Sequence, residues 1–137
     1  MITPQERLAL AARALVGTPF RLHGRSPETG VDCVGLLGCA LGAIGRPAAL
    51  PTGYALRNAT IARHLACFAG AGFRQVGGAD PVAVGDVLLT RPGPAQHHLM
   101  IATGPDAFVH AHAGLRRVAE WHGAPADPLH SRWRLAG

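Results

Sequence analysis

The sequence predicts an α+β fold, with N-terminal helices that pack on a central antiparallel sheet. Apolar residues recur at helical spacing in the first half of the chain, whereas the second half consists of short runs separated by Gly, Pro and Asp. Helices that precede strands in this way are typical of α+β domains. With 137 residues, 48% of them hydrophobic, the chain can form one core, and we predict a single domain over residues 1–137.

The first predicted helix begins at Thr3. Thr3 is a favourable N-cap, Pro4 suits the first helical position, and Glu6 lies where it completes a capping box. Leucine and alanine then recur on one side of this helix, which predicts that this side faces the core. Gly17 predicts its end.

A second helix is predicted over residues 33–44, after a Gly- and Pro-rich loop at 18–31. Asp32 is placed to cap it. The segment CVGLLGCALGAI is apolar on nearly every face, so we expect this helix to be central and buried. A third helix is predicted from Asn58 to Gly70 or Gly72.

The strands of the sheet are predicted from short runs bounded by turn residues. They are residues 73–76, 86–90, 98–103, 107–110, 116–119 and 132–135. A tight turn at 104–106 separates two of these runs, which predicts a hairpin.

Composition excludes several classes of protein. The net charge is +5, but the basic residues are all Arg, are scattered, and are not interleaved with aromatic residues, which are 5% of the chain. We therefore predict no nucleic-acid partner. No apolar stretch is long enough to span a membrane, and Glu6 and Arg7 interrupt the region where a signal peptide needs an apolar core. We expect synthesis in the cytoplasm without a signal peptide.

The three cysteines, at positions 33, 39 and 67, are odd in number and form no CxxC pair, which argues against a disulfide framework and a zinc ribbon. Cys33 directly follows the capping Asp32, at a helix start where amide groups and the helix dipole favour a thiolate. It is the candidate nucleophile, with a buried and unreactive cysteine as the alternative. Cys39 and Cys67 are interpreted as small core residues.

Four of the eight histidines cluster in the sequence, at positions 97, 98, 110 and 112. The predicted hairpin can bring His98 and His110 together at its open end, where one is the base and the other orients it. Two alternatives stay open. The histidines can be polar residues at strand ends, or His110 and His112 can bind Zn²⁺ together with His98 or Cys33.

Five sequence blocks occur in one order: GTPFRLHG at 17–24, DCVGL at 32–36, VGDV at 84–87, HLMI at 98–101 and FVHA at 108–111. This set resembles the NlpC family of papain-like cysteine peptidases, which cut peptide stems of the bacterial cell wall. The resemblance extends from residue 17 to about residue 118. It implies the papain-like NlpC fold, with the nucleophile at the N-terminus of the buried central helix.

The resemblance also implies the site residues. Cys33 matches the nucleophile, His98 the general base and His110 the polar residue that orients the base. Asp32 matches an acidic position that helps to form the substrate pocket. The chain departs from the family at Phe20, where Tyr is common, and at Val34, where Ser is frequent. We expect Asp32, Phe20 and Val34 to contact the substrate. We expect no metal or organic cofactor.

The implied activity is a cysteine endopeptidase that cleaves an amide bond of peptidoglycan stem peptides, next to γ-D-glutamyl. The alternatives are a catalytically weak or inactive tail-tip binding protein on the same fold, and an acyltransferase or deamidase. The small size, the missing signal and the Arg-Trp-Arg-Leu ending resemble the phage and gene-transfer-agent tail branch. This implies tail proteins as partners, and action on the wall or periplasm after delivery by a phage-like particle, lysis or secretion.

Overall fold

The computed structural model describes residues 2–48, 50, 68–77, 79–93 and 96–137. In this part of the chain two complete helices and eight strands follow one another as α1 (Pro4–Ala14), β1 (Arg25–Ser26), β2 (Gly30–Val31), α2 (Cys33–Ala43), β3 (Phe73–Val76), β4 (Val87–Gly93), β5 (Gln96–Gly104), β6 (Ala107–His112), β7 (Arg117–His122) and β8 (Leu129–Leu135). The prediction of an α+β fold is confirmed. Most of the predicted third helix, with Cys67 and His64, lies outside the described residues.

The first helix begins as the sequence predicts. The Glu6 amide donates to Thr3 Oγ1 at 3.1 Å, and the Thr3 amide donates to Glu6 Oε1 at 3.2 Å, so the capping box is complete. The helix ends at Ala14, three residues before Gly17, which adopts a left-handed φ of 94°.

The second helix is the centre of the core, as predicted. Asp32 caps it by accepting a hydrogen bond from the Gly35 amide at 2.9 Å. Leu36, Leu37 and Leu41 are almost completely buried. Burial of an apolar side chain of this size contributes roughly 1.5–3 kcal/mol, which offsets the low helix propensity of the glycines in this segment. Among the described residues, no helix is long and apolar enough to cross a membrane.

Six of the strands form one antiparallel sheet in the order β3-β8-β4-β5-β6-β7, while β1 and β2 pair separately. The predicted strand positions are confirmed, but several strands are longer than predicted. In particular β6 reaches His112, β7 reaches His122 and β8 begins at Leu129. Polar residues continue these strands because backbone pairing with a neighbour, and not side-chain hydropathy, sets how far a strand extends.

Alternate side chains of the sheet enter two apolar clusters. The larger cluster joins α1 and α2 to Val87, Leu89 and Ile101, whereas Leu88 and Met100 belong to a smaller cluster. This alternation is the two-residue period of a strand whose two faces are both covered.

The loop before α2 is packed tightly against the start of that helix. A Cβ atom built on Gly35 would lie 1.9 Å from the carbonyl oxygen of Gly24. The same loop reaches the sheet, because the Phe20 amide donates to the Arg116 carbonyl at 2.9 Å. The start of α2 is therefore held between this loop and the sheet.

A buried charge cluster fixes the beginning of β4. Asp86 is fully buried, and its carboxylate accepts hydrogen bonds from Arg134 at 2.7 and 3.0 Å and from Arg132 at 3.4 Å. The Ala83 amide donates to the same carboxylate at 2.9 Å. Asp86 was predicted to open the strand, but β4 begins one residue later, at Val87.

Candidate active site

Cys33 occupies the first position of α2 and is 6% exposed. The backbone amides of Leu99, Val34 and Cys33 itself lie close to its thiol and favour the thiolate. Leu99 directly follows His98 on β5, so the sulfur lies beside the strand that carries the candidate base.

The predicted lowering of the thiol pKa is wrong for this structure. Burial, together with the negative charge of Asp32, raises the pKa of the Cys33 thiol to about 11, and the nearby amides offset only part of this. The amides at the helix start stabilise a thiolate, but desolvation of a sulfur that lies almost wholly beneath the surface outweighs them. This raised pKa favours the neutral thiol, so a base would have to remove its proton for Cys33 to act as a nucleophile.

His98 and His110 are brought together as the hairpin predicts. His98 Nε2 lies 3.1 Å from His110 Nδ1, and the ring centroids are 5.3 Å apart at an interplanar angle of 79°. The strands β5 and β6 are paired from Ile101 and Val109 towards the turn, and both histidines lie beyond this pair. The hydrogen bond occupies His98 Nε2, so Nδ1 is the remaining nitrogen of that ring.

Burial favours the neutral form of both imidazoles. Burial, followed by the nearby His110 and His112, lowers the pKa of His98 to about 4. Burial is also the main reason that the pKa of His110 is lowered, followed by His112, while Asp127 acts in the opposite direction. A neutral imidazole can accept a proton, as a general base requires.

One cleft, of about 360 Å³, contains these groups. We call it the Cys33 cleft; it is lined by Phe20, Cys33, Pro92, His98, Met100, His110, Ala111, His112, Ala113, Gly114, Trp121, Ala126 and Asp127. The structure thus brings Phe20, Cys33, His98 and His110 to one cleft, as predicted from the sequence.

A larger cleft, of about 610 Å³, lies between the first turns of α1 and the sheet. The residues that line it include Glu6, Arg13 and Arg134 but no cysteine or histidine. Arg134 is engaged by Asp86 and Arg13 by Glu120. The smaller cleft is the candidate active site because it contains the candidate nucleophile and the candidate base.

Asp32 and Val34 do not line the Cys33 cleft. Asp32 is fully buried, and its carboxylate accepts hydrogen bonds from the Gly35 amide at 2.9 Å and the His23 amide at 2.8 Å. Val34 is buried in the core. The fold uses the Asp32 carboxylate to hold the helix start and the preceding loop in place beside Cys33.

Three polar or aromatic residues that line the Cys33 cleft were not predicted to take part in catalysis or substrate binding: His112, Trp121 and Asp127. His112 stacks edge-on against His110, with ring centroids 5.3 Å apart. Its position two residues after His110 on one strand was a signal that the two share a face. Trp121 and Asp127 reach the cleft from β7 and from the connection to β8, and no local sequence pattern indicates this.

The other described cysteine, Cys39, makes a structural contact. Cys39 donates from its thiol to the Arg25 carbonyl at 3.3 Å and thereby joins α2 to β1. Within the described ranges, no group of three or more His, Cys, Asp or Glu side chains is arranged to hold a metal ion, so the predicted zinc alternative gains no support there.

Comparison with known proteins gives a clear result for the fold. The structure is similar to NlpC1 from Trichomonas vaginalis, with a TM-score of 0.73 and 19% identity over 98% of this chain and 45% of that chain. It is also similar to the peptidoglycan hydrolase RipB from Mycobacterium tuberculosis, with a TM-score of 0.66 and 22% identity over 97% and 65% of the two chains. For the NlpC/p60 domain of the peptidoglycan hydrolase SagA, the TM-score is 0.62 and the identity 21% over 88% and 90%.

The fold predicted from the resemblance is therefore confirmed: the chain has the architecture of the NlpC/P60 structures. It spans about half the length of the first two chains that it matches, 45% and 48%. No protein-family model matches the sequence, and the search of curated proteins found no match.

Proposed function

We propose that this chain is a cysteine peptidase that hydrolyses an amide bond in the stem peptides of peptidoglycan. The observation that carries the proposal is that Cys33, at the start of a buried helix, lines one cleft with the hydrogen-bonded pair of His98 and His110. A cysteine peptidase needs a thiol nucleophile, a base that removes the thiol proton, and a polar group that orients the base. Two of the similar structures belong to proteins described as peptidoglycan hydrolases, which supports the substrate class.

In the proposed mechanism, His98 Nδ1 takes the Cys33 proton as the sulfur attacks the amide carbonyl. The raised thiol pKa and the lowered imidazole pKa favour this concerted transfer over a resting ion pair. In this mechanism the Cys33 amide, at the helix start, donates to the developing oxyanion. His98 then protonates the leaving amine, the C–N bond breaks, and water hydrolyses the thioester.

The remaining predicted site residues have different parts in this proposal. Phe20 forms an apolar wall of the Cys33 cleft beside the nucleophile. Asp32 acts indirectly, since its carboxylate caps α2 and binds the loop at His23. Val34 packs in the core behind Cys33. We therefore propose that Phe20 contacts substrate, whereas the other two support the geometry of the nucleophile.

The test is digestion of purified peptidoglycan sacculi, followed by mass spectrometry of the released fragments. The wild-type chain is expected to release fragments with new termini. We propose that the bond it cleaves is the amide next to γ-D-glutamyl. Cys33→Ala should release none, while Cys39→Ala, which removes the other described thiol, should release as much as wild type. Equal release by Cys33→Ala and wild type would contradict the proposed mechanism.

A second candidate is a binding protein on the same fold with weak or no turnover. The observation that favours it is the deep burial of Cys33, 6% exposed and with a thiol pKa of about 11. This candidate predicts that the chain sediments with sacculi and releases no fragments. Transfer of the acyl group, or deamidation, would instead appear as products whose masses differ from those of hydrolysis.

The delivery route and the partners stay predictions from the sequence resemblance. We propose that the domain reaches the wall or periplasm by a phage-like particle, by lysis or by secretion, and that tail proteins are its partners in the first case. Fractionation of particles, and detection of the chain in them by mass spectrometry, tests this.

A further inference from the structure

Asp127 lies in the connection between β7 and β8 and lines the Cys33 cleft together with His110. Among the described residues of that cleft it is the single carboxylate. Its side chain is half-buried, and its negative charge favours the protonated form of His110. The proposed mechanism above does not use it.

The connection that carries Asp127 is fixed at both ends. At its start, Trp121 Nε1 donates to the Ala124 carbonyl at 2.9 Å, and the Gly123 amide donates to the Asp106 carbonyl at 2.6 Å. At its end, the Arg91 amide donates to the Pro128 carbonyl at 2.8 Å. Asp127 is thus held at the cleft by a restrained segment and is not part of a free loop tip.

Hydrogen-bond directions indicate which way positive charge can spread from the base. If His98 Nδ1 accepts the thiol proton, its Nε2 carries a hydrogen and donates to His110 Nδ1 at 3.1 Å. Neutral His110 then has its own hydrogen on Nε2, on the far side of the ring from His98. A negatively charged group near His110 is therefore needed to stabilise positive charge on this pair of rings.

His112 does not supply such a group. The Leu115 amide donates to His112 Nδ1 at 3.0 Å, so that nitrogen carries the lone pair and the ring hydrogen is on Nε2. Neither nitrogen of His112 is then a free acceptor for His110. As a neighbouring titratable ring it also disfavours positive charge on both His98 and His110. Asp127 is the charged side chain of the cleft with the required sign.

We propose that Asp127 is a positioning residue, whose carboxylate stabilises the positive charge that forms on the His98–His110 pair when Cys33 gives up its proton. The proton moves from Cys33 Sγ to His98 Nδ1 while the S–C bond forms, and it leaves with the amine when the C–N bond breaks. Asp127 exchanges no proton in either step. The inference rests on the proposed function for the identity of the reaction, but the proton transfer that it concerns is measurable without peptidoglycan.

The experiment is the rate of Cys33 alkylation by iodoacetamide as a function of pH, with modification of each cysteine followed by peptide mass spectrometry. Asp127→Asn keeps the size and removes the charge, Asp127→Glu restores the charge, and Asp106→Asn removes an exposed carboxylate outside the cleft. Asp127→Asn should lower the rate about tenfold, which corresponds to one pKa unit of the base, and move the acid limb of the profile to lower pH. Asp127→Glu should recover most of the rate, and Asp106→Asn should match wild type.

An alkylation rate and pH profile that Asp127→Asn leaves unchanged would overturn the inference. An equal loss of alkylation rate in Asp106→Asn would also overturn it. So would a rise in KM for stem peptides in Asp127→Asn with kcat and alkylation unchanged, because Asp127 would then be a substrate contact. Because alkylation requires no cell-wall substrate, its dependence on Asp127 can hold even if sacculi are not cleaved. The two proposals can therefore fail separately.

Discussion

His98 Nε2 lies 3.1 Å from His110 Nδ1, and both rings are withdrawn from solvent at the open end of a hairpin. The contact joins two residues twelve positions apart in sequence, one on each strand of that hairpin. Because one nitrogen of His98 is occupied in this way, the ring has a fixed orientation and a single nitrogen left for proton transfer. Burial then sets the pH range in which that nitrogen can act.

The first prediction concerns the pH dependence of turnover. The base must be neutral, and burial lowers the pKa of His98 to about 4. The thiol must be protonated, and burial raises the pKa of Cys33 to about 11. We expect kcat/KM for a soluble stem peptide to be level between these limits, at every pH where circular dichroism shows the native fold. An acid limb near the ordinary histidine value of 6.5 would contradict this.

The second prediction concerns acid stability. The folded-state pKa of His98, about 4, is below its ordinary value of 6.5, so between these two pH values the unfolded chain binds a proton that the native state does not. Stability therefore rises with pH across this window and is lost as pH falls through it. The loss attributable to this lowered pKa is about 3 kcal/mol. In urea unfolding at both ends of this pH window, His98→Gln should lose less stability on acidification than wild type does, by this amount.

His122→Gln is the matched control for the stability experiment, because its ring is largely exposed at the edge of the sheet. We expect this variant to lose as much stability on acidification as wild type. If His98→Gln behaves like the control, then the ring at position 98 is not held neutral by the fold.

The third prediction concerns the contact between the loop and α2. A Cβ on Gly35 would lie 1.9 Å from the Gly24 carbonyl oxygen, so Gly35→Ala must displace the loop or the helix start beside Cys33. We expect it to destabilise the fold by about 1–3 kcal/mol and to slow Cys33 alkylation. Gly42→Ala is the control on the same helix, because nothing lies within 4 Å of its Cβ position. That variant should stabilise the protein by up to about 1 kcal/mol, since alanine is the better helix former. Thermal unfolding measures both, and equal effects would contradict the predicted clash.

The fourth prediction concerns the buried charges at β4. Asp86 is fully buried, and it is the carboxylate that pairs with Arg132, itself 2% exposed. Asp86→Asn leaves that guanidinium buried without a counter-charge, and breaking a buried pair in this way costs about 3–5 kcal/mol. Asp106→Asn, at an exposed turn, should change the free energy of unfolding little. Denaturant titration of the two variants compares them directly, and similar midpoints would show that Asp86 is not an anchor of the fold.

Much of the fold could be predicted because its signals are local. The capping box at Thr3 and Glu6, and the N-cap at Asp32, each involve residues within three positions of one another. The turn at 104–106 predicted the hairpin that joins His98 to His110. These interactions are determined by spacing along the chain, and spacing can be read from the sequence.

The ends of the strands and the ionisation of the site could not be predicted in this way. Strands such as β7 extend through polar residues because a neighbouring strand offers hydrogen-bond partners. The pKa of Cys33 is raised and not lowered, because burial by segments distant in sequence outweighs the effect of the amides at the helix start. Both depend on what surrounds a residue in space.

The sequence by itself determined the α+β class, the starts of both described helices, and the cysteine and two histidines that meet in one cleft. Tertiary structure alone decided that the Asp32 carboxylate is buried behind Cys33, that Asp86 joins two arginines of β8, and that Asp127 lines the same cleft as the two histidines. The physical reason is that caps and turns are local interactions, whereas desolvation and electrostatic attraction depend on distances that only the packed chain establishes.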